Sequence, residues 1–302
     1  MGTVADQQIE RLLKFIENKN GNVQKEDWMA SLSPRKREEA TFHDWSRDPA
    51  LRAGNKIEEW KENHPNKRFY DTAEESFEYS RRWIRENAPG KVVLDFACGD
   101  GANAMQAAQC GAALAIGIDI SPVSIENCRL TAALQGLDHR TYFLTGDCED
   151  TGLPSDSVDR IICMGCLHHL DLSYAFPELR RILRPGGKIH VLEALAYNPL
   201  IQLYRRMTPN LRTEWEKHHI LSLREVKFAR RFFEVRDIHY FHLLSLLTLP
   251  LHNTPMFRPA LGLANAIDRV LLRVPPLSFM AWVFSFELAK DRKSTRLNSS
   301  HT

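Results

Sequence analysis

No stretch of this 302-residue chain approaches the roughly 20 consecutive apolar residues that a bilayer-spanning helix requires, so no helical membrane span is expected. An excess of one charge is missing as well. Against 40 Lys and Arg stand 38 Asp and Glu, and a formal net charge of +2 lies too near neutrality for a general nucleic-acid binder. Cysteine is scarce, and all six fall between Cys98 and Cys166, which fits reduced thiols in a cytosolic protein better than a disulfide frame. The opening residues MGTVADQQ lack a signal-peptide pattern, and Asp6 stands where a myristoylation signal needs Ser or Thr. A cytoplasmic protein is the expectation. What the chain does have is core material, at 43% hydrophobic, in a length that fits one large α/β domain with additions or two small ones.

The most informative stretch is Lys91–Gly101 (KVVLDFACGDG). Val92, Val93, Leu94 and Phe96 form the short apolar run of a parallel strand covered on both faces. The chain then turns through Gly99 and Gly101, and Ala102–Cys110 is rich in helix formers. Strand, glycine turn and helix leave free backbone N–H groups where a ligand can approach the main chain. Asp95 adds a fixed negative charge beside that turn. Gly99-x-Gly101-x-x-Ala104 also fits the dinucleotide pattern G-x-G-x-x-G/A, and Asp119 ends the next strand, about where a ribose hydroxyl needs an acceptor. The glycines alone leave a nicotinamide dehydrogenase open beside other nucleotide-cofactor enzymes.

Later pieces repeat the alternation of strand and helix. Ala113–Ile120 reads as strand two, Ser121-Pro122 opens a helix to about Gln135, and Tyr142–Thr145 is strand three, leading into Gly146-Asp147-Cys148-Glu149. Val158–Cys163 is strand four, followed by MGCLHHL at Met164–Leu170. Ala175–Leu183 is a helix, and LRPGG at Leu183–Gly187 is its stop and the tight turn into strand five, Lys188–Leu192. Cys163-x-x-Cys166 beside His168 and His169 spells a possible metal cluster. No second Cys pair exists, however, and Cys163 falls on a buried strand, so no metal is expected.

Together these stretches resemble the class I S-adenosylmethionine (SAM) dependent methyltransferases. Lys91–Gly101 is similar to their first motif, Leu153–Asp159 with Leu167–His169 to the small-molecule (type 11) branch, and LRPGG to the crossover that dehydrogenases rarely have. One departure is Ala97, where the motif usually has its first glycine; the change is mild if φ is negative and harmful if φ is positive. The resemblance implies an α/β, Rossmann-like seven-stranded sheet, with the last strand (Met280–Leu288) inserted antiparallel beside strand six (Phe232–Phe241). It implies SAM as cofactor and S-adenosylhomocysteine as product. The methionine portion would meet Asp95, Ala97, Gly99, Gly101 and the turn at Gly165; Asp119 beside Ile120 would serve the ribose, and Asp147 and Cys148 the adenine.

From Glu193 onward the sequence resembles a bacterial subgroup with a PLAYNP…YRR…RT tract after strand five, which does not identify the acceptor. Glu193, Asn198, Arg205 and Arg212 lie at or beyond a strand's carboxyl end and are candidate substrate contacts. Arg205, Arg206 and Arg212 either hold an anionic group through paired hydrogen bonds or form a solvated face with Arg–Glu pairs. His168, His169 and Tyr197 are candidate catalytic groups, with His218 also considered, each needed only for an acceptor that must lose a proton. The expected reaction is displacement at an already activated sulfonium methyl, for which an enzyme supplies alignment and a dry site. A small, apolar or lipid-like acceptor methylated on oxygen is favoured. The alternative is a SAM-binding partner subunit without catalysis.

Residues 1–68 read as a helical extension. Ile9, Leu12, Leu13 and Ile16 have helical spacing, Ser33-Pro34 opens a second helix toward Trp45, and the charged stretch 55–67 is expected to be partly mobile. Thr72–Glu75 fits a capping box for a helix through Phe77, Tyr79, Trp83 and Ile84, of the kind that helps cover the cofactor in methyltransferases. The methyltransferase domain would span 69–292, with cap elements near 196–231 and 242–279. Ser222 caps a helix to about Arg231, and the helix Arg258–Leu272 belongs to a greasy insertion suited to an apolar substrate, a homodimer or a peripheral membrane contact. The tail Lys293–Thr302 reads as non-native read-through, expected to be disordered.

Overall fold

The computed structural model describes residues 4–20, 24–48 and 65–291. Its centre is a parallel sheet of β1 (Val92–Phe96), β2 (Leu114–Asp119), β3 (Thr141–Thr145), β4 (Val158–Met164) and β5 (Leu183–Ala194). Two further strands, β6 (Glu234–Phe241) and β7 (Val283–Ala289), complete the order β3-β2-β1-β4-β5-β7-β6, with β7 antiparallel to both its neighbours. Every residue of β1, β2 and β7 is buried, as strands covered on both faces must be. The order reverses between β1 and β4, so the chain leaves their carboxyl ends toward opposite sides and a crevice opens there.

Two hydrophobic layers fill the space around the sheet. On one face, Ile84 of α5 (Glu74–Asn87), Ala104 and Ala107 of α6 (Ala102–Gln109) and Ile125 of α7 (Pro122–Leu134) meet Val93, Ala115, Phe143 and Ile162. On the other, Leu12 and Ile16 of α1 (Val4–Asn20), Phe176 and Leu179 of α8 (Leu172–Ile182) and Val226 of α11 (Leu223–Ala229) meet Leu94, Phe96, Ile116, Ile161 and Val191. Each Val, Leu, Ile or Phe among them, taken fully from water, contributes about 1.5–3 kcal/mol. The amino-terminal Leu12 and Ile16 therefore belong to the main core.

Two local expectations need correction. Thr72 does not open a capping box: it ends α4 (Pro65–Thr72) and donates to the carbonyl of Phe69 at 2.7 Å, while Ala73 takes the cap position of α5 without a side-chain bond. Glu74 and Glu75 at the positive end of the helix supply what the cap does not. LRPGG is not a turn ahead of β5 but a bulge inside it. Leu183 pairs with Val158 before the excursion, Lys188 pairs with Arg160 after it, and Gly186 at φ +80° carries the bend. At Ser222 the expected cap is a full capping box with Glu225. Most of the stretch 55–67, and all of 293–302, lie outside the described residues.

Two histidines are locked in the core uncharged. His190 on β5 bonds Ser80 Oγ through Nε2 at 2.7 Å and stacks on Trp83, and burial pushes its pKa down to about 3. His242 lies between Ser76 and Ser245, and burial again takes it to about 3. In the unfolded chain both titrate near their ordinary ~6.5. The stability they contribute is complete above that pH and is lost as pH falls toward 3, by about 1.4 kcal/mol per pH unit per histidine. His190→Gln removes one of these terms. Its stability relative to the natural chain should therefore improve steadily from pH 7 to pH 5 in urea denaturation; a difference that stays constant with pH would refute the neutral-core assignment.

Candidate functional site

The crevice above β1 begins with a strained turn. Ala97 (φ +54°), Gly99 (φ +57°) and Gly101 (φ +74°) are all left-handed, so the departure from glycine at Ala97 falls where a Cβ is disfavoured. The two glycines have different reasons. A Cβ on Gly101 would strike Phe143 at 2.7 Å and Cys128 at 2.9 Å in the core below, whereas one on Gly99 would meet Arg47 at 3.0 Å from above. Asp95 is buried beneath the turn, where it accepts from Asn103 Nδ2 at 3.3 Å and the Ala104 N–H at 3.2 Å. Burial pushes its carboxyl up to about 8 against those two bonds, which weakens the fixed negative charge expected beside the turn.

Ala97, Gly99, Asp119, Ile120, Asp147, Cys148 and Gly165 line a cavity of about 300 Å³. Asp95 and Gly101 do not: they shape the turn from underneath. Asp119 accepts from the N–H groups of Gly99 at 2.8 Å and Ser121 at 2.9 Å; burial raises its pKa, and Arg47 with those amides works the other way. Gly165 (φ +59°) has open space where a Cβ would stand. Cys148 is buried, and burial raises its thiol pKa.

The roof of this cavity is α3 (Pro34–Arg47), not the helix α5 expected to cover it. Arg35, Glu39, His43 and Arg47, spaced four apart on one face, all line the cavity. Lys36 Nζ meets Asp147 at 2.5 Å and Glu149 at 2.9 Å, and Arg35 meets Glu149 at 2.5 Å. At the other end Asp44 accepts from Ser121 Oγ at 2.5 Å, and Arg47 donates to Ser124 Oγ at 2.9 Å. From α2 (Lys25–Ser31), the indole N–H of Trp28 donates to the Ile120 carbonyl at 2.9 Å. Sequence reasoning missed this roof, because a charged stripe on a polar helix has the same pattern as a solvated face.

A second cavity of about 440 Å³ adjoins the first, and His43, Met164, Gly165 and His169 line both. Its walls include Phe69, Tyr204 and Trp282, with ring centroids 4.8 Å apart for Phe69–Tyr204 and 5.8 Å for Phe69–Trp282. Its floor holds Glu193, fully used: one oxygen accepts from the N–H groups of Cys166 (2.8 Å) and Leu167 (2.6 Å), the other bonds His168 Nδ1 at 2.7 Å. Burial alone would lower the His168 pKa; Glu193 outweighs it and holds the ring above its ordinary value. Arg205 of α9 (Pro199–Met207), Arg212 and Glu216 of α10 (Glu214–His218) lie in the same cavity.

Other expected contacts fall elsewhere. Asn198 is buried as the cap of α9, accepting from Leu200 and Ile201 and donating to the Met280 carbonyl. Tyr197 is 42% exposed, and its hydroxyl accepts from the Leu223 N–H. Neither lines either of these two cavities, and neither do Arg206 and His218. Two donor groups have metal-like spacing, Glu39–His43–His169 and His168–His169–Glu216, each with ligand atoms within 4.8 Å. The first is bonded internally, Glu39 to His169 at 3.1 Å, and in the second Glu216 is ion-paired with Arg205 and Arg212, each at 3.3 Å. Cys163 and Cys166 are buried free thiols. On α12 (Phe257–Leu271), Leu263, Ile267 and Val270 form an exposed apolar stripe that continues to Val274, away from both cavities. No helix among the described residues is long and apolar enough to cross a membrane.

The turn itself is testable. A glycine at position 97 removes the left-handed cost of a Cβ, about 1–2 kcal/mol, against about 0.5–1 kcal/mol of added chain entropy. Ala97→Gly should therefore raise unfolding stability slightly, by roughly 0.5–1 kcal/mol. A loss of stability in urea denaturation would contradict the strain.

Residues 93–187 match the family model described as a methyltransferase domain. A ribosomal protein L11 methyltransferase of Photorhabdus laumondii is 39% identical over 108 residues, which is 35% of this chain and 34% of that protein. A ubiquinone/menaquinone biosynthesis C-methyltransferase of Geotalea daltonii is 33% identical over 127 residues, 39% of this chain and 54% of that one. The chain thus spans about a third to a half of the length of these curated relatives. Among solved structures, the geranyl diphosphate C-methyltransferase of Streptomyces coelicolor A3(2), in complex with Mg2+, geranyl-S-thiolodiphosphate and S-adenosyl-L-homocysteine, has a TM-score of 0.53 at 14% identity, covering 70% of this chain and 76% of that one. That likeness is one of fold. With the sheet order, the glycine turn and the family match in place, residues 93–187 of this chain are a methyltransferase domain.

Proposed function

We propose that the protein transfers a methyl group from SAM, bound in the first cavity, to a small acceptor with an apolar body in the second. The observation that carries this reading is the shared wall: Met164 and Gly165 border both cavities, so a sulfonium methyl beside Gly165 would face the aromatic chamber. In this reading Asp119 accepts from the ribose hydroxyls beside Ile120, and Asp147 and Cys148 meet the adenine. Ala97 and Gly99 present their backbone to the methionine portion, while Asp95 and Gly101 hold the turn in shape. The aromatic walls exclude water, and alignment of the methyl with the acceptor does the rest.

A hydroxyl acceptor must also lose its proton. His168 is placed for that task, because Glu193 occupies Nδ1 and leaves Nε2 as the atom that can accept it. His169 stands beside it, its Nδ1 bonded to Glu39. Transfer to carbon, the chemistry named for the Geotalea and Streptomyces proteins, also requires a proton to leave the methylated skeleton, and the same base can take it. The exposed stripe on α12 supports a contact with a membrane surface or a second copy outside the reaction chamber. The competing reading, a SAM-binding subunit without catalysis, leaves the second cavity without an acceptor.

Calorimetric titration with S-adenosylhomocysteine, with NAD as control, tests the cofactor. The first should bind and the second should not, and Asp119→Ala should cost about 1–3 kcal/mol of affinity, the value of a charged acceptor. Unchanged affinity in that variant would reject the ribose assignment. The base is tested separately by NMR: His168 should titrate above the usual ~6.5, so that its basic form appears only above that pH, and Glu193→Gln should move the titration down. A titration indifferent to Glu193 would remove His168 as a tuned base.

A further inference from the structure

The second cavity holds two buried guanidinium groups that rely on a single carboxylate. Arg205 Nη1 and Arg212 Nε both lie 3.3 Å from the same oxygen, Oε1 of Glu216. The other guanidinium contacts go to neutral acceptors: Arg205 Nη2 to the Glu216 carbonyl at 2.9 Å, and Arg212 Nη1 to the carbonyl and hydroxyl of Thr208 at 2.8 and 3.1 Å. Glu193 does not help, since two backbone amides and His168 consume it. Two guanidinium groups, with side chains only 12% and 10% exposed, thus share one carboxylate. Arg212 Nε is buried without a hydrogen-bond partner among the described residues, its approach to Glu216 being poorly aligned. Burial and the neighbouring Arg212 lower the Arg205 pKa to about 10, against the pull of Glu216.

A buried charge without its counter-charge is costly, and a ligand that brings one recovers that cost. The guanidinium fork fits the paired oxygens of a carboxylate or phosphate. The same cavity is walled by Phe69, Tyr204 and Trp282, which suit a flat or extended apolar body. We propose that the acceptor is an amphiphilic anion, its carboxylate or phosphate group held by Arg205 and Arg212 and its apolar body lying against the aromatic wall. This rests on the reading of the second cavity as the acceptor site. It resolves the two alternatives for these arginines: they are paired with a glutamate, yet they line a chamber rather than a solvated face.

The test uses the full chain saturated with S-adenosylhomocysteine and three probes of one shape: 5-phenylpentanoate, 5-phenylpentyl phosphate and 5-phenylpentan-1-ol. At least one anion should bind about tenfold or more tightly than the alcohol, in line with a charge-assisted pair, and the stronger of the two anions identifies the headgroup. Equal binding of all three, or no binding of either anion, overturns the proposal. Failure of S-adenosylhomocysteine itself to bind would instead reject the methyltransferase reading. Arg212→Met should abolish the preference for the anion without changing S-adenosylhomocysteine affinity. Glu216→Gln separates recognition from a structural ion pair: freed of their internal competitor, the arginines should bind the anion several-fold more tightly. Weaker anion binding in a folded Glu216→Gln protein would contradict the proposal.

Discussion

The reversal of strand order between β1 and β4 is the constraint on which the rest depends. A parallel sheet must send its chain out over one face or the other after each strand, and here the two central strands send it to opposite sides. Their carboxyl ends are therefore left uncovered, one by the strained turn at Ala97–Gly101 and the other by the turn at Met164–His169. The second turn is fixed by a buried carboxylate. Glu193, at the end of β5, binds two of its amides and one of its histidines, so the wall between the two cavities is set from the neighbouring strand. The position of the crevice, the wall shared by the two cavities and the raised pKa of His168 all follow from those two facts.

The amino-terminal region completes what the sheet leaves open. Its first helix fills the core with Leu12 and Ile16, and α3 crosses the mouth of the first cavity. The pairing of Arg35 and Lys36 with Glu149 and Asp147 places cations over the acids proposed to meet the adenine. These pairs are partly buried, so each pays a desolvation cost that ordinary surface pairs do not. The contact also joins parts of the chain more than a hundred residues apart, which makes α3 part of the cavity wall.

Much of this fold was legible in the sequence because its signals were local and backbone-driven. A buried strand ending in a glycine turn reads the same in one dimension as in three, and Val92–Gly101 and Ser121–Leu134 formed where expected. Most of the residues expected at the cofactor beyond strands β1, β2, β3 and β4 line one cavity for the same reason. Side chains whose partners are distant were not legible. Asn198 sits beyond a strand's carboxyl end, yet its amide is committed to capping α9 and to Met280, 82 residues away. Asp95 has the motif position, but Asn103 and Ala104 turn it into a support for the loop. The stripe Arg35–Glu39–His43–Arg47 carried no signal at all, since only the folded chain reveals what a polar helix face looks onto.

The most direct measurement is a crystal structure of the protein with S-adenosylhomocysteine bound. The ribose should lie within hydrogen-bond distance of Asp119 and the sulfur should face the Met164–Gly165 wall, with the aromatic chamber open on the other side. A nucleoside seated between Phe69, Tyr204 and Trp282, or a sulfur turned away from Gly165, would contradict it.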